Sequence, residues 1–317
     1  MLNRMMKSLL ATLLATLIGA AAYAEYPTSS IEFMIPWGAG GSADVEGRVI
    51  ADVVENILGV PVVPVNRPGA GSGVGFSHLL EQAPDGYNVG WTSTGLLTTT
   101  NLGNVPFDYT AFDHVAMVSV QSMPWAVRAD SPWETFEDLL EHARENPGAV
   151  LVANAGTGSA THISAIAVAD VADIEVTHIP LESGERVPAL LRGEVQVISV
   201  PLPEVISQVR AGEARLLVNP SAERDPLIDD IPTLIDLGYD LSFELHRGVS
   251  VPQGTPAEVV ETLEGAFIEA AESEEFRNLG EELGFSVRTM DSEDYRNYLG
   301  QQHELIGGLL READLID

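Results

Sequence analysis

Cysteine is absent from this 317-residue chain. No disulfide holds the fold, no thiol does chemistry, and an anchor attached at a cysteine is excluded. Lysine occurs once, at Lys7, so beyond the first residues the fixed positive charge rests on arginine. In all, 16 basic residues face 47 acidic ones, a formal net charge of −31. A surface of that sign argues against nucleic acid as a partner. Several catalytic signatures are missing as well. No G-x-x-x-x-G-K-[ST] occurs, so there is no P-loop. Ser72 and Ser159 lack the glycine two residues earlier that a nucleophile elbow needs. The seven histidines are scattered, with no H-E-x-x-H, so no metal site is expected. No cofactor is expected either.

The first 24 residues read as a secretory signal. Arg4 and Lys7 form a basic start, Ser8–Ala22 a short apolar core, and Ala22-Tyr23-Ala24 a small-x-small cleavage site. No other segment has 18 uncharged apolar residues, so the mature chain is expected to be soluble and exported, best matching a Gram-negative periplasm. Its remaining 293 residues exceed what one core usually holds, which predicts two lobes. Without Arg4 and Lys7 the formal charge is −33. At 45% hydrophobic content the chain is nevertheless expected to fold.

The stretch around which the chain is organised is Ile31–Asp44, IEFMIPWGAGGSAD. A strand-type alternation (Ile31, Phe33, Ile35) breaks at Pro36. Gly38, Ala39, Gly40 and Gly41 lead into Ser42, and an apolar stripe follows at Val45, Val49, Ile50, Val53, Val54 and Ile57. Ser42 or Gly41 suits an N-cap, and Asp44 a first helical turn. Strand, glycine-rich loop and helix together aim backbone N–H groups at one point, which is either an anion site or a plain βα turn. The loose dinucleotide pattern Gly38-Ala39-Gly40-x-x-Ala43 finds no acid for a ribose after the second strand, which ends at Asn66-Arg67.

The pattern continues as strands and helices in alternation. Strands are predicted at Val60–Asn66 (at an edge, given its two prolines), Tyr87–Thr92, His114–Val120, Trp125–Arg128, Val150–Asn154, Glu175–Ile179, Val195–Val200, Arg215–Val218 and His246–Val251. Helices are predicted over Val74–Gln82, from Ser131 or Pro132 to Ala143, beyond Ser159, and over Glu185–Leu191, Leu202–Ala211, Ala257–Glu272 and Ser292–Leu310. Such alternation indicates an α/β protein with mainly parallel sheets. Two more glycine-rich loops precede helices, RPGAGSGVG (Arg67–Gly75) and AGTGS (Ala155–Ser159). Thr92–Thr100 is rich in hydroxyls. These neutral donors, with little acid–base machinery, suit a cleft that holds a small anion.

Tyr26-Pro27, IPWGAGGSAD (Ile35–Asp44), Arg48, LGVPVVPVNRPGAGSGVG (Leu58–Gly75), PDGY (Pro84–Tyr87), GTGSATH (Gly156–His162), HIPLESGERVPALLRGEVQV (His178–Val197), IPTLIDLGY (Ile231–Tyr239) and RGVSVPQGTP (Arg247–Pro256) carry a resemblance. The chain resembles the periplasmic solute-binding proteins of tripartite tricarboxylate transporters, also called the Bug family. The resemblance implies an α/β, two-lobed periplasmic-binding-protein fold (type II-like) with the ligand cleft between the lobes. The lobes would be residues 25–122 plus 245–317, and 123–244. It implies a non-enzymatic protein, a monomer, that captures a small organic carboxylate and delivers it to a large and a small membrane subunit. Ligand-binding positions carried over are Trp37, Ala39, Gly40, Gly41, Ser42 and Asp44 in the first loop. Ser93 and Thr94 follow, and then Thr157, Gly158, Ser159 and Thr161 in the second lobe.

Each of these positions has a plainer alternative. Trp37 is a cleft wall or core packing, and Asp44 a ligand contact or a helix-start charge. His162 reads better as a packed histidine than as a ligand contact, and Arg67 better as a loop brace. Arg247, opening a strand, pairs with a second ligand carboxylate or with a nearby acid. The chain departs from the family pattern at Leu181-Glu182, where many members have tyrosine and lysine, and at His246-Arg247, where many have tryptophan. Arg247 favours di- or tricarboxylates, whereas an acidic Glu182 at the cleft would oppose them. The rival readings are an exported α/β enzyme and a binding protein that serves a sensor.

So acidic a chain with so little lysine suits salty surroundings, where counterions screen its self-repulsion. Its melting temperature is expected to rise with added NaCl; a melting temperature flat from low to high salt removes that reading.

Overall fold

The structure is a computed structural model that describes residues 26–156, 158–181, 184–312, 315 and 316; the segment read as a secretory signal lies outside them. Two sheets carry the fold. The chain enters the first through β1 (Ile31–Ile35), α1 (Ser42–Leu58), β2 (Val62–Asn66), α2 (Gly73–Leu80), β3 (Asn88–Ser93), α3 (Thr94–Asn101) and β4 (Phe112–Gln121). It crosses to the second through β5 (Trp125–Arg128), α4 (Phe136–Glu145), β6 (Leu151–Asn154), α5 (Ala160–Val171), β7 (Thr177–Pro180), α6 (Arg186–Arg192), β8 (Val197–Ser199), α7 (Leu202–Arg210) and β9 (Ala214–Val218). It returns through β10 (Leu245–Pro252), α8 (Ala257–Glu272), α9 (Glu274–Leu283), β11 (Ser286–Met290) and α10 (Ser292–Glu312). The result is a bilobed α/β fold with helices packed on two sheets.

The first sheet has the order β11-β4-β10-β3-β1-β2, the second β7-β6-β8-β5-β9. Both are mixed rather than mainly parallel, which corrects the reading of the alternation. β1 pairs in parallel with β2 and β3, and β6 with β7 and β8. The strands next to the crossings, β4, β10 and β5, pair antiparallel with their neighbours. A chain that leaves one sheet at the end of a strand and later returns at the same end runs its return strand in the opposite direction, and strand alternation does not record that. β2 is an edge strand, where Pro64 withholds no N–H that a second neighbour needs.

Local chemistry sets the element ends. α4 begins at Phe136 rather than at Ser131 because Thr135 and Asp138 form a reciprocal cap. The Asp138 N–H donates to Thr135 Oγ1 at 3.2 Å, and the Thr135 N–H to Asp138 Oδ2 at 2.8 Å. α8 buries Val259, Leu263, Ala266, Phe267, Ala270 and Ala271 at helical spacing. These side chains meet β1 and β3 in the main core of the first lobe, where the Phe33 ring lies 5.7 Å from Phe267 and 5.6 Å from Trp91. The second lobe has an apolar cluster on each face of its sheet. α9 and β11 were not foreseen, although Ser273 caps α9 by accepting the Phe276 N–H at 3.2 Å.

Contacts away from the crossings also join the lobes. α10 packs Tyr295, Leu299, Ile306 and Leu310 with Leu97 of the first lobe and with Ala160 and Ile163 of the second. At the outer edge, Arg210 at the end of α7 donates to the carbonyls of Glu281 and Glu282 at the end of α9, at 2.9 and 2.8 Å. Those carbonyls lack helical partners, so a guanidinium there satisfies them.

Gly248 shows how closely α10 approaches β10. A Cβ there would lie 2.5 Å from the Tyr295 ring and hydroxyl and 2.6 Å from the Ala116 carbonyl oxygen. Gly248→Ala is expected to cost about 3 kcal/mol by overpacking, read as a lower denaturant midpoint; an unchanged midpoint would mean that α10 moves aside freely.

Candidate functional site

The first glycine-rich loop leaves β1 at Pro36 and enters α1 at Ser42. Its tip, Gly38 to Gly40, is exposed, while Gly41 and Ser42 are half-buried. Asp44, in the first turn of α1, is buried and clamps this loop. Its Oδ2 accepts the Gly40 N–H at 2.9 Å, and its Oδ1 accepts Arg48 Nε and Asn66 Nδ2, both at 2.9 Å. Asn66 also donates to the Trp37 carbonyl at 3.0 Å. Burial pushes the Asp44 carboxyl up, but the bonds from Arg48, Gly40 and Asn66 outweigh it and hold the group below its usual range. Asp44 and the Gly40 N–H are thus committed to the shape of the loop.

Trp37 is half-buried and faces the one sequence-proposed cation. Arg247 lies on β10, registered opposite Ser93 of β3, and is 3% exposed. Its Cζ stands 4.9 Å from the Trp37 ring centre, a cation–π contact. Its Nε is 3.6 Å from Glu46 Oε2 and, among the described residues, has no hydrogen-bond partner. Glu46, on α1, is fully buried; it accepts a short bond from the Ser119 hydroxyl and one from Gln121 Nε2 at 2.6 Å. Burial raises the Glu46 carboxyl, against the pull of Arg247, Ser119 and Gln121. Burial lowers Arg247, opposed first by Glu46 and then by Glu204 of α7, so the guanidinium also feels the second lobe. Glu204 is in turn paired with Arg186 at 2.8 Å.

The hydroxyls of the β3–α3 turn are buried. Ser93 Oγ caps α3 by accepting the Gly95 N–H at 3.1 Å. Thr94 Oγ1 accepts the His246 N–H at 3.2 Å and faces His246 Nδ1 at 3.0 Å. Burial and the charge of Arg247 push His246 down to about 3, so this ring is neutral and Thr94 ties it to the start of α3. In the second lobe, Ser159 Oγ caps α5 by accepting the His162 N–H at 3.2 Å. The Ala155 N–H donates to Thr161 Oγ1 at 2.9 Å, and the Gly158 N–H to His162 Nδ1 at 3.0 Å. His162 is therefore a loop brace, held neutral by burial and by His178 with its pKa down at about 4. Gly158 sits at φ +78°, and a Cβ there would be 2.1 Å from Leu102 Cδ1 at the end of α3, so this loop rests directly on the first lobe. Arg67 pairs with Glu32 at 2.9 Å. Thr157 and Glu182 lie outside the described residues.

Of the residues proposed from sequence, Trp37, Ser93 and Arg247 converge. Ala39, Gly40, Gly41 and Ser42 form the rim of the first loop. Asp44, Thr94 and Thr161 brace the backbone, and Gly158 and Ser159 belong to the second-lobe loop that rests on Leu102. Glu46 and Glu204 escaped notice, and Ser72 was weighed only as a nucleophile. Glu46 left a signal: it sits on the buried stripe of α1, four residues before Ile50. Among the described residues no cluster of His, Cys, Asp or Glu could hold a metal, and no helix is long and apolar enough to cross a membrane.

A bilobed α/β fold with a glycine-rich loop before a helix in each lobe is that of a solute-binding protein for a small organic ligand. Residues 47–315 match the model of the tripartite tricarboxylate transporter family receptor (TctC), and the chain belongs to that family. It is similar to BugT of Bordetella pertussis, at 27% identity over 91% of this chain and 90% of that one. A TctC solute-binding protein from Polaromonas, solved without ligand, is 29% identical with a TM-score of 0.76, covering 91% of this chain and all of that one. The structure of R. palustris Rpa4515 with adipate, at 23% identity, shares the fold with a TM-score of 0.84 over 92% of this chain and 99% of its own. Receptors of this family partner with membrane transporter subunits and are typically periplasmic, and the family is one of transport and binding proteins.

The Asp44 clamp has a pH signature. A depressed carboxyl stabilises the fold above its unfolded value near pH 4, and the effect is lost as pH falls through the folded value. The melting-temperature gap between wild type and Asp44→Asn is expected to be full at pH 7 and to close in acid. A gap that persists in strong acid would assign the effect to shape alone.

Proposed function

We propose that this protein is a periplasmic receptor that captures a small organic di- or tricarboxylate between its lobes. It hands the ligand to the large and small membrane subunits of a tripartite tricarboxylate transporter. Residues 1–24 act as a cleaved signal peptide that exports it to the periplasm, and it acts as a monomer without catalysis. The lobes are residues 25–122 with 245–317, and residues 123–244, closing on the ligand about the crossings.

The observation that carries this reading is Arg247. A guanidinium 3% exposed, stacked on Trp37, with a buried Nε that has no hydrogen bond among the described residues, is a ready fork for a carboxylate. The glycine-rich loops supply neutral donors for the other end of the ligand. A second carboxylate matched to Arg247 accounts for a preference for more than one acid group. The adipate bound by a protein of the same fold agrees with this.

The test is a thermal-shift and calorimetric panel of adipate, citrate and hexanoate, the last a monocarboxylate of adipate length. Ligand at a hundred times its Kd adds about 2.7 kcal/mol. Removing Arg247 alone strands the buried Glu46, so the informative variants are Arg247→Lys and the pair Glu46→Gln with Arg247→Gln. Adipate or citrate is expected to bind wild type more tightly than hexanoate, and the paired variant to lose most of that difference. No shift with any of the three overturns the reading; equal losses for adipate and hexanoate would make Arg247 structural.

A further inference from the structure

The second glycine-rich loop, Arg67–Gly75, has no part in the site as described so far, yet its turn is strained. Four consecutive residues have positive φ: Gly69 at +130°, Ala70 at +47°, Gly71 at +62° and Ser72 at +88°. For a serine that conformation is unfavourable, and it persists only where the surroundings enforce it. The enforcing bonds are present. The Ser72 and Val74 N–H groups both donate to the Gly69 carbonyl, at 3.1 and 3.3 Å, and Thr99 Oγ1 donates to the Ala70 carbonyl at 3.3 Å.

The strained turn delivers one side chain inward. Ser72 is 2% exposed, and among the described residues its hydroxyl has no hydrogen-bond partner. A buried, unpaired hydroxyl is destabilising in itself. Its position is defined by Gly95, in the first turn of α3. A Cβ on Gly95 would lie 3.2 Å from Trp37 Cζ2, 3.3 Å from Ser72 Oγ and 3.5 Å from Ser93 Oγ. The unpaired hydroxyl, the tryptophan that stacks on Arg247 and the capped N-terminus of α3 therefore meet at one spot. Ser93, at that spot, is the register partner of Arg247. The helix end favours negative charge and the hydroxyl supplies a donor.

We propose that Ser72 is a ligand-contacting residue whose hydroxyl donates to a carboxylate of the bound acid beside the N-terminus of α3. This rests on the receptor reading and extends it, because it brings the second glycine-rich loop into the site. The strain at Ser72 then serves to place the donor.

The experiment titrates adipate and citrate by calorimetry into wild type, Ser72→Ala and Ser72→Gly, with melting temperatures of the ligand-free proteins alongside. Ser72→Ala keeps the strained φ and removes the hydroxyl; Ser72→Gly removes both. Both variants are expected to bind about tenfold more weakly or worse, as for loss of a hydrogen bond to a charged group. Ser72→Gly without ligand is expected to melt at or above the wild-type temperature, which separates affinity from stability. Unchanged Kd in both variants, as for a hydroxyl that merely holds a buried water, overturns the assignment of Ser72 and leaves the receptor reading standing. A wild type that binds neither acid overturns the receptor reading and this inference with it.

Discussion

The site depends on keeping one guanidinium charged inside the protein. Arg247 sits in a central strand of the first sheet, where an unpaired charge would be costly by several kcal/mol. Glu46 supplies the countercharge from α1, and Ser119 and Gln121 of β4 hold that carboxylate against its tendency to take up a proton. One helix and two strands are thus fixed around a single pair, and Trp37 closes over it. Every acid in this very acidic chain is not equal. Most are solvated, and the few that are buried set the local sign at the cleft.

The second constraint is rigidity of the loops. Glycine-rich turns are flexible unless tied, and here each is tied by polar side chains. Asp44 and Asn66 tie the first, Thr99 the second, and Thr161, Ser159 and His162 the third. Hydroxyls that look available in the sequence turn out to be braces. Ties of this kind lower the ordering cost of any binding at these loops, because the backbone is already fixed.

The legible parts of the chain were those in which the deciding residues are close in sequence. α8 runs from Ala257 to Glu272 as expected, since Pro256 starts it and its apolar stripe is regular. Pro64 marked β2 as an edge strand, and the first glycine-rich loop stood out at once. The hidden parts are decided at long range. The Thr94–Asn101 segment is helical although threonines are poor helix formers, because Ser93 caps it and its apolar and threonine side chains are buried. The antiparallel pairing of β10 depends on where the chain returns from the second lobe. Arg247 and Glu46 lie some 200 positions apart, so neither predicts the other. Ser72 was visible only as a serine without an elbow glycine, because neither its φ nor its burial can be read from its neighbours.

At the outer edge, the lobes meet through a guanidinium from α7 and two peptide carbonyls at the end of α9. The carbonyls carry no net charge. Elsewhere the surface is a field of carboxylates whose mutual repulsion varies with acid and salt. At this edge the spacing of the lobes is referenced to the peptide backbone instead, and so is insulated from the most variable property of the molecule.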